Sequence, residues 1–187
     1  NKAGAKFDPI KTKWFNQQYL RKKSDTELAK LFFPIVEEKL KENKDASTKT
    51  QDARHKTQEF IEKVCGLVKE KSHFVSEFWE NSDFFFHSPI TYDAEVIKKR
   101  WNEQTAIFVK EVTLAFKSIT NFTAAETEAI FKATAEKLGL GQGQVMQLFR
   151  VCLTGVGGGP MLFEMIELLG KEEVVARLEK ATINLTS

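Results

Sequence analysis

Residues 137–178 (KLGLGQGQVMQLFRVCLTGVGGGPMLFEMIELLGKEEVVARL) admit few folds. Within 144–154, Val145, Leu148, Phe149 and Cys152 recur at i, i+3, i+4 and i+7, which makes one side of a helix apolar and leaves Gln147, Arg150 and Thr154 in the opposite sector. That helix must stop at Gly155, because Gly157, Gly158 and Gly159 each lose much backbone freedom in a helix and Pro160 lacks the amide an interior turn needs. Pro160 suits the first position of a following helix, predicted over 161–169. Apart from Glu164 and Glu167 that segment is apolar all round and is expected to be buried. A Gly-Pro elbow between two packed helices, with Arg150 on the polar side of the first, is expected to face something polar.

The rest of the chain is a succession of helix signals. Asp8-Pro9 opens a helix predicted to run to about Leu20. Trp14, Phe15 and Tyr19 give it an aromatic side, ringed by Lys11, Lys13, Arg21, Lys22 and Lys23. Either the helix docks and its lysine stems cover apolar surface, or it touches nucleic acid. Ser24 and Glu27 form a capping box before Leu28 and Leu31, and Pro34 is expected to kink or restart the helix. Residues 41–51 are polar and are the best linker candidate. Over 52–71, Phe60, Ile61, Val64, Leu67 and Val68 form a stripe, and Lys69 and Lys71 complement the dipole at its end. The segment 74–86 carries Phe74, Phe78, Trp79, Phe84, Phe85 and Phe86; helical spacing favours core packing over stacking on unpaired bases. Asp93 caps a long pattern through Ile97, Trp101, Phe108, Val112, Ala115 and Ile119, with a break near Asn102, and Thr123 and Glu126 form a second capping box before a helix ending at Gly139. No segment alternates as a half-buried strand does. The fold class predicted is all-α, a helical bundle or cage.

Several classes of chemistry are excluded. His55, His73 and His87 are scattered, with no Cys or carboxylate at ligand spacing, so no metal site is expected. The GVGGGP run lacks the Gly-Lys-Ser/Thr ending of a phosphate loop, and Pro160 stands where a dinucleotide fingerprint needs its last Gly. No nucleophile-base constellation is present, and catalytic residues are expected to be none. Cys65 and Cys152 fall in apolar helical patterns, as small buried hydrophobes of a reducing compartment would. No apolar run approaches the length of a membrane span. The opening NKAGAKFDP has neither a signal pattern nor a starting Met, which suggests a piece of a longer protein. A net charge of +2 does not announce nucleic acid, but residues 1–60 carry 14 Lys and Arg against 9 Asp and Glu, whereas 61–187 carry 14 against 17. Arg150 offers a planar five-donor fork, and the elbow offers backbone amides at a helix start.

Arg150-x-x-Leu153-Thr154-Gly155, Pro160-x-Leu162-Phe163 and Leu169-Gly170-Lys171-Glu172, together with the opening AGAKFDPIKTKWFNQQYL, resemble the C-terminal part of bacterial-type glutamyl-tRNA synthetase. The resemblance covers nearly the whole chain, strongly at both ends and loosely over about 38–133. It implies the class I synthetase's all-α anticodon-binding fold, with 1–40 as the tail of the connector that contacts the tRNA stem, 41–87 as a first anticodon-binding helical subdomain and 88–187 as a second. It further implies that Arg150, Thr154, Gly159, Pro160 and Leu162 form an anticodon contact, the glycines making room for a base. Lys71, with Lys69, stands where the family has an Arg that reads the last anticodon base. Lys there is a departure, a point charge in place of a bidentate fork. Leu148-Phe149 in place of the family's Pro-Leu is another.

The function this implies is tRNA binding by a part of a glutamate–tRNA ligase that lacks the catalytic domain. The whole enzyme would use ATP with Mg, and no cofactor is expected in this chain. Glutamate-accepting tRNA is the implied partner, with no DNA, no membrane, a monomeric state and a cytoplasmic location. The alternative from the residues alone is an all-helical protein-protein interaction module docking through 74–86.

Overall fold

In the computed structural model, residues 9–42 and 57–186 are described, and among them every regular element is helical. The chain divides into two compact units, 1–83 and 84–187. Asp8 and most of the linker candidate 41–51 lie outside the described residues.

The first unit holds α1 (Pro9–Lys22), α2 (Asp25–Glu42), α3 (Gln58–Val68) and two single 3-10 turns, Lys69–Lys71 and Val75–Glu77. α2 begins at the expected capping box: Glu27 N donates to Ser24 Oγ at 3.2 Å and Ser24 N donates back to Glu27 Oε2 at 3.0 Å. The Ser24 amide, with the Ser24 hydroxyl donating to the same Oε2 at 3.0 Å, holds the Glu27 carboxyl below its ordinary pKa. Pro34 neither breaks nor restarts α2, which continues to Glu42. Pro34 and Lys30 are both exposed, so the carbonyl that loses its amide partner faces solvent.

α2 packs on α3 through Leu28, Phe32 and Val36 against Phe60, Ile61, Val64 and Val68, all at most 4% exposed. Gly66 lets the helices close, since a Cβ there would stand 2.9 Å from Asp25 Oδ2. α1 is joined to the Lys69–Lys71 turn by Gln17, whose amide donates to Glu70 O at 3.1 Å, and by the Arg21–Glu70 ion pair at 2.8 Å. The face that docks is therefore the one bearing Leu20, Gln17 and Arg21; Trp14, Phe15 and Tyr19 stay 55%, 63% and 59% exposed. Residues 74–86 are largely spent on packing, in 3-10 turns instead of a regular helix: Phe78, Phe84, Phe85 and Phe86 are buried, and Phe78 meets Phe32 edge to face at 5.5 Å. That leaves little of the segment as a docking surface.

The second unit follows a 3-10 turn at Asp83–Phe85 and contains α4 (Ala94–Arg100), α5 (Glu103–Ser118), α6 (Ala124–Lys137), α7 (Gln142–Thr154), α8 (Leu162–Leu169) and α9 (Lys171–Thr186). The expected break falls at Trp101-Asn102, where extended backbone ends α4 and Asn102 opens α5: Thr105 N donates to Asn102 Oδ1 and Asn102 N to Thr105 Oγ1. Thr123 accepts from Glu126 N at 3.3 Å, and the neighbouring Ala124 amide is taken by Glu167 of α8 at 2.7 Å, so a distant carboxylate joins a cap expected to be local. The core is a phenylalanine cluster. Phe131 of α6 stands 5.1 Å from Phe108, 5.3 Å from Phe149 and 5.5 Å from Phe163, which ties α5, α6, α7 and α8 together. Arg177, unmarked by any sequence pattern, is 1% exposed and donates to Phe84 O at 2.8 Å and Leu153 O at 2.9 Å while pairing with Glu173.

Candidate nucleic-acid interface

α7 buries Val145, Leu148, Phe149 and Cys152 as its periodicity predicts, and its polar side carries Gln147, Arg150 and Thr154. Thr154 is only 7% exposed: its hydroxyl donates to the Arg150 carbonyl at 2.9 Å and accepts from Val156 N at 3.3 Å. It closes the helix end and presents no free hydroxyl. Gly155 then takes a left-handed conformation (φ 82°), and its amide donates to Val151 O. A Cβ there would stand 2.6 Å from Thr91 O, and Asp93 N donates to Gly155 O at 2.8 Å, so the end of α7 is fixed against the entry to α4.

The loop beyond Gly155 returns along the polar side of α7. A Cβ on Gly157 would lie 3.1 Å from Gln147 Nε2, and one on Gly159 (φ +145°) only 2.9 Å from Arg150 Nη1. Those two glycines make room for the protein's own Gln147 and Arg150 side chains. Gly158, between them, is the one that borders open space. Arg150 is half-buried beneath this loop, and its Nη1 is out of solvent without a hydrogen-bond acceptor among the described residues. Burial pulls the guanidinium below its ordinary pKa, yet an arginine keeps its charge at neutral pH.

Pro160 does not occupy the first position of α8. Met161 has extended backbone (φ −60°, ψ 130°) and its carbonyl accepts from Met165, so Met161 is the cap, Leu162 the first helical residue and Pro160 part of the loop. Pro160 and Leu162 are buried, Leu162 to 4%, and they fix the elbow to the core. The exposed side chains at the elbow are Val156 and Met161, and among the described residues no side chain caps α8. Hydrophobicity alone does not separate Met161 from Leu162; the elbow geometry does.

Lys69 and Lys71 lie in the first unit, on the Lys69–Lys71 turn, and the other sequence-predicted residues lie in the second. Lys69 Nζ pairs with Asp25 Oδ1 at 2.7 Å and ties the end of α3 to the start of α2. Lys71 is exposed. Sequence reasoning gave no role to Arg100, whose Nε donates to Gln147 Oε1 at 2.8 Å. Among the described residues no three His, Cys, Asp or Glu are grouped to hold a metal ion, and no helix is long and apolar enough to cross a membrane.

A chain of the glutamate–tRNA ligase of Flavobacterium johnsoniae is 46% identical over 181 residues, which is 97% of this chain and 33% of that protein. The glutamate–tRNA ligase of Porphyromonas gingivalis is 40% identical over 181 residues, again 97% of this chain and 33% of the other. Among solved structures, the glutamate tRNA ligase of Elizabethkingia meningosepticum, crystallised with its amino acid, superposes with a TM-score of 0.83 at 35% identity, covering 99% of this chain and 34% of that one. The chain thus spans about a third of the length of the relatives it matches. The family model described as "Anticodon binding domain" matches residues 26–182, and the chain belongs to that family.

Proposed function

We propose that this chain is the anticodon-binding part of a glutamate–tRNA ligase and that its own task is to hold glutamate-accepting tRNA by the anticodon. The whole protein would attach glutamate to that tRNA with ATP and Mg, in the cytoplasm and as a monomer, with no role for DNA or a membrane. The observation that carries the reading for this chain is Arg150: a charged fork on α7, held under a glycine loop with Nη1 unspent and, among the described residues, no carboxylate paired to it. Such a group reads base edges by paired donors, worth about 1–3 kcal/mol per good contact. Gly159 gives it room, Thr154 fixes the helix end it projects from, and Pro160 and Leu162 anchor the elbow from beneath. Exposed Lys71 is the proposed second contact, with Lys69 securing its turn to Asp25.

The test is binding of glutamate tRNA and of the same tRNA with its anticodon bases replaced. The wild-type chain should prefer the natural anticodon, and Arg150→Ala should lose about tenfold or more for it, the equivalent of 1.4 kcal/mol. Equal affinity for both tRNAs, unaltered by Arg150→Ala, would remove the anticodon reading.

A further inference from the structure

α4 ends on Lys98, Lys99 and Arg100. Basic residues at a helix C-terminus often do no more than complement its dipole. Here two of the last-turn carbonyls already have donors: Trp101 N donates to Ile97 O and Thr105 Oγ1 to Arg100 O. The half-buried Arg100 guanidinium turns to α7 instead, and Nε donates to Gln147 Oε1 at 2.8 Å. Among the described residues this is its one hydrogen bond, and none of their carboxylates lies within ion-pair distance of it. A carboxylate partner would cancel the charge; an amide orients the fork and leaves the charge and four of its five donors available.

Gln147 is confined in turn, with Nε2 3.1 Å from where a Cβ on Gly157 would stand. Gln147 and Arg150 are three residues apart on one helix face. Arg100, through its bond to Gln147, and Arg150, one turn along α7, therefore flank a single neutral side chain. Lys98 and Lys99, both exposed and without ion-pair partners among the described residues, add positive charge at the end of α4.

We propose that Arg100, aimed by Gln147, binds a phosphate of the RNA backbone next to the nucleotide met by Arg150, with Lys98 and Lys99 extending that backbone track. The proposal rests on the RNA-binding reading above. A planar fork suits phosphate oxygens two at a time, and phosphate contacts fix register and carry no sequence information.

The test uses the 187-residue chain and two RNA hairpins, one carrying the anticodon stem and loop of glutamate tRNA and one with the anticodon bases replaced, titrated over a range of salt concentrations. Arg100→Gln should weaken binding to both hairpins by the same factor, about tenfold. It should also reduce the slope of log affinity against log salt by about 0.7–0.9, the loss of one phosphate contact. Gln147→Leu should weaken both hairpins with the slope kept, because the charge remains but is no longer aimed. The double variant Lys98→Gln with Lys99→Gln, at exposed positions, should lower the slope without moving the melting temperature. Wild-type affinity and slope in both Arg100→Gln and the lysine double variant would overturn the proposal, as would a loss confined to the natural anticodon. If the wild-type chain bound both hairpins equally while Arg100→Gln still lowered the slope, the anticodon reading would fail and the phosphate contact would stand. If it bound neither hairpin, both would fall.

Discussion

Arg177 shows how much of the second unit depends on one side chain. It sits at 1% exposure with its guanidinium shared between Phe84 O, Leu153 O and Glu173, and Glu173 also accepts from Ser88 Oγ. Arg177→Met would leave two buried carbonyls without their donor and strip Glu173 of its cation, which should cost about 3–5 kcal/mol in urea unfolding. Arg177→Lys should recover little, since an ammonium cannot serve the three directions the fork serves. A loss under 1 kcal/mol for Arg177→Met would show that the clamp is dispensable. The two cysteines act chiefly through burial, to which the Asp25 and Glu62 carboxylates add at Cys65. Desolvation pushes the Cys65 and Cys152 thiols up to about 12. The unfolded chain releases these protons near the ordinary thiol value of 9.0, and the folded chain keeps them until about 12. Their contribution to stability is therefore complete below pH 9 and lost as pH rises from there towards 12. Cys152→Ala should lower stability at neutral pH yet flatten its alkaline decline, and an equally steep decline in the variant would contradict the assignment.

The elbow between α7 and α8 separates glycines that look alike in sequence. Gly159→Ala meets both a left-handed φ and Arg150 Nη1 at 2.9 Å, so loop or guanidinium must move. It should reduce binding of the natural-anticodon hairpin about as much as Arg150→Ala does. Gly158→Ala, with nothing within 4 Å, should leave binding and melting temperature unchanged and is the control. Which elements the sequence reveals follows from the range of the forces that make them. The Ser24 cap, the break near Asn102, the stop at Gly155 and the buried stripe of α7 depend on residues within one turn, and they are legible locally. The uninterrupted α2 is not, because Pro34 is tolerated only for lying on the solvent side. The start of α8 is not, because burial of Pro160 in the loop passes the capping role to Met161. At the candidate site, Arg150 stands out by residue type and by position on the wheel. The Arg100–Gln147 bond does not, because it joins residues 47 apart in sequence.

Each unit of the chain has its own buried core: Leu28, Phe32, Ile61 and Val64 in the first, the cluster around Phe131 and Phe149 in the second. A helical segment of about 100 residues with such a core is large enough to fold alone. Phe84 O, Leu153 O and Glu173, to which Arg177 is bonded, and the Thr91, Asp93 and Gln147 atoms that fix the elbow, lie within 84–187. A chain of 84–187 alone should accordingly give a helical circular dichroism spectrum and one cooperative melt, and it should retain the Arg100 and Arg150 dependence of hairpin binding. What it should lose is the share of affinity carried by the first unit, where Lys71 is exposed and where residues 1–60 hold the excess of Lys and Arg over Asp and Glu. Because those charges act through phosphates, the loss should be large at low salt, shrink as salt rises, and be the same for both anticodons except for any reading by Lys71. A non-cooperative melt would place essential core contacts outside 84–187. A salt-independent loss would mean that the first unit contributes through apolar contact, with exposed Trp14, Phe15 and Tyr19 the residues to substitute next.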